Sequence, residues 1–418
     1  MNRRIAGVLI LGVLSLGSCC LGADWPQFRG PDRDGKSSEM GLLKQWPANG
    51  PALLWEVDGL GDGYSSAAIA NGLVYTTGMI EGQGTIFAFD LQGTPLWKRG
   101  YGPEWNRSYK AARCTPTVEG DRLYLMSGMG VVSCLNARTG DRVWSFDAFD
   151  HTRGQFPLWG MSENLLIDGD NIICTPGGKT ASIIALHKKT GQVVWECKEL
   201  GQASTYCNPC VFNWGTRRLI VTMLRDSVVG LDARTGKLLW RDEFDAYHTD
   251  KKRAVNANNP IFHEGYIHTT SGYNNGGAML RLNDDGTGVQ RVWTDTVLDV
   301  HHGGVILHNG YLYGSNWTSN SRGNWACIRW EDGTGMYDTR WDGNKGSVIY
   351  ADDMLYCYNE KSGEIALVTA KPDAFEVVSS FQITKGKGPF WAHPAIAHGR
   401  LYLRHGAYMM VYDIKEAP

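Results

Sequence analysis

The sequence predicts an all-β fold, a single eight-bladed β-propeller of four-stranded antiparallel blades whose ring is closed by the N-terminal strand. Three observations carry this expectation. A glycine turn recurs about every 47 residues, a second turn in each unit leads into tryptophan, and the composition is rich in glycine and aromatic residues.

The chain has 418 residues, 43% hydrophobic and only 20% charged, enough apolar surface to bury a large core. Its 52 glycines, 16 tryptophans and 18 tyrosines favour short strands and tight turns over long helices. Forty-one Lys and Arg against 43 Asp and Glu give a net charge of −2, without the basic excess expected of a nucleic-acid binder.

Met1 to Arg4 is a basic stretch and Ile5 to Leu16 an apolar one too short to span a bilayer, the pattern of a signal peptide over 1–23. Two processing routes fit it. Leu16-Gly-Ser-Cys19 resembles a lipobox, which would lipidate Cys19, whereas cleavage near Gly22 or Ala23 would release a free protein. Either way the protein is expected to be exported, periplasmic or extracellular, with a lipid anchor as its only attachment to membrane. Residues 24–50 read as an N-terminal extension, and 51–418 as the propeller.

The first turn appears as IANGLVY, VEGDRLY, IDGDNII, NWGTRRL, HEGYIH, HNGYLY, ADDMLY and AHGRLY. Its turn residues are Gly72, Gly120, Gly169, Gly215, Gly265, Gly310, Asp352 and Gly399, spaced 48, 49, 46, 50, 45, 42 and 47 apart. Eight such units fill the chain after its leader and leave no room for a second domain. The second turn reads most fully as Asp232-Ala-Arg-Thr-Gly236-Lys-Leu-Leu-Trp240, and Asn283 to Trp293 repeats it with an insertion. A strand ends in Asp or Asn, a glycine turns at positive φ, and the next strand carries a large flat ring able to pack on a neighbouring unit. In the seventh unit Glu360-Lys-Ser-Gly363 falls between the second and third strands instead. The last unit stops after three strands, and Ala52-Leu-Leu-Trp55-Glu-Val57 supplies the missing fourth.

The template Asp-Ala-x-Thr-Gly-Lys-x-x-Trp resembles the repeat of pyrroloquinoline quinone (PQQ) propellers. That superfamily includes quinoprotein alcohol dehydrogenases and the lipoprotein subunit of the outer-membrane β-barrel assembly machinery. Asp24-Trp-Pro-Gln-Phe-Arg-Gly-Pro31-Asp-Arg-Asp-Gly35 looks like the leader of exported PQQ-like propellers. The resemblance implies the fold and leaves activity open.

Propeller geometry places the long loops on one face. They carry Trp105, Arg107, Tyr109, Arg113, Arg153, Trp159, Tyr247, Lys251, Lys252, Arg253 and Trp391, an aromatic and cationic surface suited to a partner or ligand. Aligning the units puts Ser66, Thr115, Glu163, Asn208, Asn259, Gly304, Ser347 and His393 around the central tunnel at that face. Glu163 and Asn208, with Asn259, form a weak calcium candidate, because a hard cation takes carboxylate and amide oxygens. Of the adjacent His301 and His302, which a strand would point to opposite faces, His302 is the one expected to reach the tunnel and His393. Cys207-Asn-Pro-Cys210 lacks the second ligand pair that zinc would need, so ordinary buried thiols are expected.

Two functions fit these residues. In the first, the protein is a binding or scaffold module of the cell envelope that docks an envelope protein, a glycan or a small anionic ligand. It needs no catalytic constellation, and none is evident. The alternative is a PQQ- and calcium-dependent quinoprotein alcohol dehydrogenase-like enzyme, with cationic side chains holding the PQQ carboxylates and Trp159 or Trp391 stacked on its rings. Against it, the tunnel has no second carboxylate to act as base, Cys19 and Cys20 lie in the leader, and no CxxCH haem motif exists.

Overall fold

A computed structural model describes residues 23–244, 248 and 255–417. Cys19, Cys20, Tyr247, Lys251, Lys252 and Arg253 therefore lie outside the described residues. Eight four-stranded antiparallel blades follow one another around a ring, and within the first seven each blade strand pairs with its sequence neighbour. Blade 1 comprises Ala68–Ala70, Leu73–Ile80, Gln83–Asp90 and Pro95–Pro103, strands a to d from tunnel to rim. Blade 8 comprises Ala395–Ala397, Arg400–His405, Tyr408–Asp413 and, as its outer strand, Ala52–Val57. Ala52 pairs with Asp413 and Val57 with Met409, so the two ends of the chain share one sheet.

The first turn has one physical basis throughout. Gly72, Gly120, Gly169, Gly215, Gly265, Gly310, Asp352 and Gly399 all have positive φ, between 50° and 85°. In the second turn the Asp or Asn side chain holds the loop. Asn136 Oδ1 accepts from the Arg138 and Thr139 amides at 2.8 and 3.1 Å, and Asp232 Oδ1 from the Thr235 amide at 3.0 Å. Just beyond it, the outer strand of each blade has a register shift around one apolar residue, at Leu54, Leu96, Val143, Val194, Leu239, Val292, Met336 and Val378. These bulges turn the rim strand and blunt its free edge.

The core lies between blades rather than in one centre. Ala68, Tyr75 and Ile86 of blade 1 pack on Cys114, Val118 and Leu123 of blade 2, and the pattern recurs around the ring. The tryptophans bridge these seams. The indole N–H of Trp55 donates to Leu91 O at 2.9 Å, that of Trp144 to Lys188 O at 3.0 Å and that of Trp195 to Ala233 O at 3.2 Å, each reaching the next blade. The same rings cover Gly93, Gly191 and Gly236 in the neighbouring turns, where any Cβ would collide with them.

Trp240 departs from this pattern. It lies over Gly230, opposite it in its own blade, and Trp214 from the inner strand covers the next blade by donating to Asn283 O at 2.8 Å. The insertion noted between Asn283 and Trp293 lengthens the turn that Trp240 would otherwise meet.

Residues 24–37 enter the tunnel from the face of the short turns. Trp25 pairs with Ile69, the chain turns through Gln27–Arg33, and Lys36–Ser37 runs parallel to blade 7 beside Tyr350 and Ala351. Arg29 and Arg33 are 4% and 6% exposed. Arg29 donates to Val305 O at 2.7 Å and to Val348 O at 3.3 Å. Arg33 donates to Asn164 O at 2.7 Å and to Leu165 O at 3.0 Å. Two guanidinium groups thus satisfy strand ends on several blades, and burial lowers both to a pKa of about 10.

Candidate functional site

At the loop-rich face, the connections into all eight blades converge on one cavity of about 240 Å³. Phe28, at the tip of the inserted N-terminal segment, forms its floor, 4.8 Å from the His393 ring. The walls are aromatic. Trp391 sits 4.9 Å from Tyr64 and 5.3 Å from Tyr109, and Trp159 lies 5.8 Å from Tyr206. Tyr273 faces His301 at 4.8 Å. Of the residues expected here, Trp159, Trp391, Arg113, Asn208, His302 and His393 do line the cavity.

The tunnel ring itself is a chain of hydrogen bonds from blade to blade. Ser66 N–H donates to Thr115 Oγ1 at 2.9 Å, Thr115 N–H to Asn164 Oδ1 at 2.5 Å and Asn164 N–H to Asn208 Oδ1 at 2.6 Å. Asn208 Nδ2 then donates to Asn259 Oδ1 at 3.0 Å, and Asn259 Nδ2 to Arg33 O at 3.2 Å.

This ring corrects the placement of Glu163. Extended backbone alternates faces, so Ser162 and Asn164 look into the cavity and Glu163 looks away. Its carboxylate accepts the Thr175 amide at 2.7 Å and the Thr175 hydroxyl at 2.9 Å. Burial pushes its pKa up to about 7, against the Thr175 hydrogen bonds and the charge of Arg33. Asn259 serves the inserted segment and does not line the cavity. Arg153 is also displaced. It is exposed at the C-cap of the short helix Ala148–Thr152, with φ of 50°.

The histidine expectation needs a correction as well. Residues 301–303 form a bend instead of a strand, so both rings face the cavity, their centroids 4.5 Å apart. His393 Nε2 meets the backbone carbonyl of His302 at 2.8 Å, not its ring. Burial, with the Arg29 charge nearby, lowers His393 to a pKa of about 3, and burial holds His301 well below its ordinary value. Both rings are therefore neutral at physiological pH.

Two charged residues in the wall are not among the expected site residues: Lys345 belongs to no motif, and Glu360 opens the displaced turn of the seventh unit. Lys345 Nζ lies 2.7 Å from Glu360 Oε1, with both side chains almost fully buried, and Glu360 Oε2 lies 3.1 Å from His302 Nε2. Burial raises the Glu360 pKa, but His302 and Lys345 outweigh it and hold the carboxyl below its ordinary value. Lys345 also reaches the carbonyls of Ser319 and Asn320, both at 3.2 Å. His301 Nδ1 and His393 Nδ1 are buried with no hydrogen-bond partner among the described residues, while Glu360 Oε2 and His302 Nε2 face each other. Two unpartnered ring nitrogens on one cavity leave hydrogen-bonding capacity for a guest.

Among the described residues, the groups needed for PQQ with calcium do not assemble here. Glu163 is turned away, and the side-chain oxygens of Asn208 and Asn259 already accept hydrogen bonds. Arg113 turns two of its five N–H donors onto the carbonyls of Trp159 and Tyr109, and Lys345 is neutralised by Glu360. Among the described residues no cluster of three or more His, Cys, Asp or Glu side chains could hold a metal ion. Cys207 is a buried thiol pushed up to about 12 by that burial.

Comparison with known proteins agrees with this architecture. Polyvinylalcohol dehydrogenase of a Pseudomonas species is 28% identical over 159 residues, and quinoprotein ethanol dehydrogenase of Pseudomonas aeruginosa is 26% identical over 148. Those matches cover 33% and 35% of this chain but only 23% and 20% of the relatives' own length. Among solved structures, quinohemoprotein alcohol dehydrogenase from Comamonas testosteroni superposes with a TM-score of 0.69 at 12% identity, over 94% of this chain and 81% of that one. BamB from Moraxella catarrhalis superposes with a TM-score of 0.60 at 14% identity, over 88% and 98%. At such identities the likeness establishes the fold alone. The family model that matches residues 82–371, well over half of the sequence, is described as outer membrane protein assembly factor BamB, and the chain belongs to that family of PQQ-repeat propellers.

Proposed function

We propose that the protein is an exported binding module of the cell envelope that takes a small ligand, free or as part of a larger partner, in the aromatic cavity of its loop-rich face. Residues 1–23 act as its signal peptide in this reading, and 51–418 as the binding domain. One observation carries it. All eight blades lend residues to a single cavity, floored by the chain's own N-terminal segment, in which buried ring nitrogens of His301 and His393 lack partners among the described residues. A scaffold that used only its outer loops would have no reason to leave those atoms unsatisfied.

The relatives named as quinoprotein dehydrogenases favour the alternative of PQQ chemistry, and the donor set of the cavity disfavours it. Titration calorimetry on the wild type with PQQ and excess calcium decides between them. No heat is expected. Tight, calcium-dependent binding lost in Glu163→Gln would overturn the reading. Thermal-shift screening with small molecules tests it positively, because stabilising ligands should lose their effect in Trp391→Ala.

A further inference from the structure

We infer that the ligand of this cavity is a neutral pyranose ring, either a short free saccharide or the end of a glycan chain. The inference rests on the binding reading above and specifies its chemistry.

The first argument is the shape of the aromatic wall. Tyr109 and Trp391 are inclined at 51°, Tyr64 and Trp391 at 56°, and Tyr109 and Trp159 at 85°. A flat fused ring needs a slot with parallel walls, which rings at these angles do not provide. A saturated ring presents C–H groups on more than one side and can meet several inclined aromatic faces at once.

The second argument is charge. Lys345 and Glu360 cancel each other at 2.7 Å, and His301 and His393 are neutral. Beneath the floor Arg29 is turned onto strand-end carbonyls, and what remains among the described lining residues is Arg113, turned onto two backbone carbonyls. Its charge opposes a cationic guest in the aromatic cage, while its engaged donors give little hold on a carboxylate.

The third argument concerns the unpaired atoms. His301 Nδ1 and His393 Nδ1 donate or accept according to tautomer, and beside them Glu360 Oε2, which can only accept, meets His302 Nε2 at 3.1 Å. A hydroxyl group both donates and accepts, so a polyol satisfies all of them without any change of protonation. A cavity of about 240 Å³ is also small beside the ~300–1,000 Å³ of drug-sized ligand sites, which suits one or two sugar rings.

Tryptophan fluorescence of the full chain tests this directly, because Trp159 and Trp391 border the cavity. The probes are cellobiose, maltose and N,N′-diacetylchitobiose as neutral saccharides, with galacturonic acid, choline and calcium-loaded PQQ as the competing chemistries. A saturable change is expected with at least one neutral disaccharide. It should weaken at least tenfold in both Trp391→Ala and Glu360→Gln. Should either variant fail to fold, Tyr109→Ala, at a site 56% exposed, is expected to weaken the same binding. Soluble amylose and hydroxyethyl cellulose then separate the two sources: binding of a polymer identifies a chain end, and binding of disaccharide alone a free sugar. If only galacturonic acid, choline or PQQ saturates the signal, the cavity is a binding site and the sugar inference fails. If nothing saturates it, the binding reading falls as well.

Discussion

The rim and the tunnel of this propeller are built on opposite plans. Along the rim, one device repeats from blade to blade: a bulged outer strand, and in most blades an indole laid over the neighbouring turn. In the tunnel, no two blades contribute the same set of side chains, and a segment from outside the repeat supplies Phe28, Arg29 and Arg33. Repetition closes a ring, because every seam must be equivalent for the circle to meet itself. Recognition requires the reverse, since a ligand without eightfold symmetry is held only where that symmetry is broken.

The largest effect should come from breaking closure. Removing residues through Val57 leaves blade 8 with three strands and an open edge. We expect aggregation, or a fall in melting temperature far beyond that of any point substitution. A truncated chain that stayed monomeric at the wild-type melting temperature would refute the shared blade.

Next come the seams. Trp195→Ala and Trp240→Ala each truncate a buried indole and should cost about 3–5 kcal/mol in denaturant unfolding. The glycines beneath them separate the two arrangements. Gly236→Ala should destabilise strongly because Trp195 covers it, and Gly230→Ala because Trp240 does. A Cβ on Gly286 meets its nearest atom, Leu219 Cδ1, only at 3.2 Å, so Gly286→Ala should cost less than either. Equal losses at all three would mean that Trp240 docks like the others.

In the tunnel, Arg33→Ala leaves the carbonyl of Asn164 without its donor and that of Leu165 with only the Thr117 hydroxyl, and should cost about 2–3 kcal/mol, with the blades otherwise intact. The smallest effect concerns pH. His393 has a pKa of about 3 when folded against an ordinary 6.5, so between those values the unfolded chain binds a proton that the folded chain does not. That contribution to stability is present above pH 6.5 and is lost as pH falls toward 3. His393→Gln should flatten the acid side of the stability profile by up to one proton, and an unchanged slope would show that the ring is already protonated when folded.

The plan of the rim was legible in the sequence because each turn depends on a residue type with few substitutes. A positive φ at Gly72 or Gly399 calls for glycine, and Asp352, in the one unit without it, is an acceptable replacement. Gly230 held a weaker clue. Blades 1, 2, 3 and 5 place Ala88, Cys134, Ala185 and Met279 opposite their tryptophans, and a missing Cβ at that position lets an indole lie flat.

The tunnel was harder to read. A one-residue slip exchanged Glu163 for Asn164, because alternation fixes which of two neighbours faces inward only after the register is known. His301 and His302 share a face because the chain bends there, which neither residue type announces. Arg29 and Arg33 bind main-chain carbonyls, and such partners leave no trace in residue spacing.

The blade shared by the chain's two ends also governs when folding can finish. Ala52–Val57 is made before every other blade strand, yet its partner Tyr408–Asp413 follows only after the seven intervening blades. Until then the first strand waits unpaired while the intervening blades assemble from local contacts, and the final pairing closes the longest loop in the molecule. Synthesis thus creates an interval in which an open strand edge is presented to every other copy. The bulged rim strands lower the hazard elsewhere on the ring, but Ala52–Val57 itself is shielded only once the circle shuts.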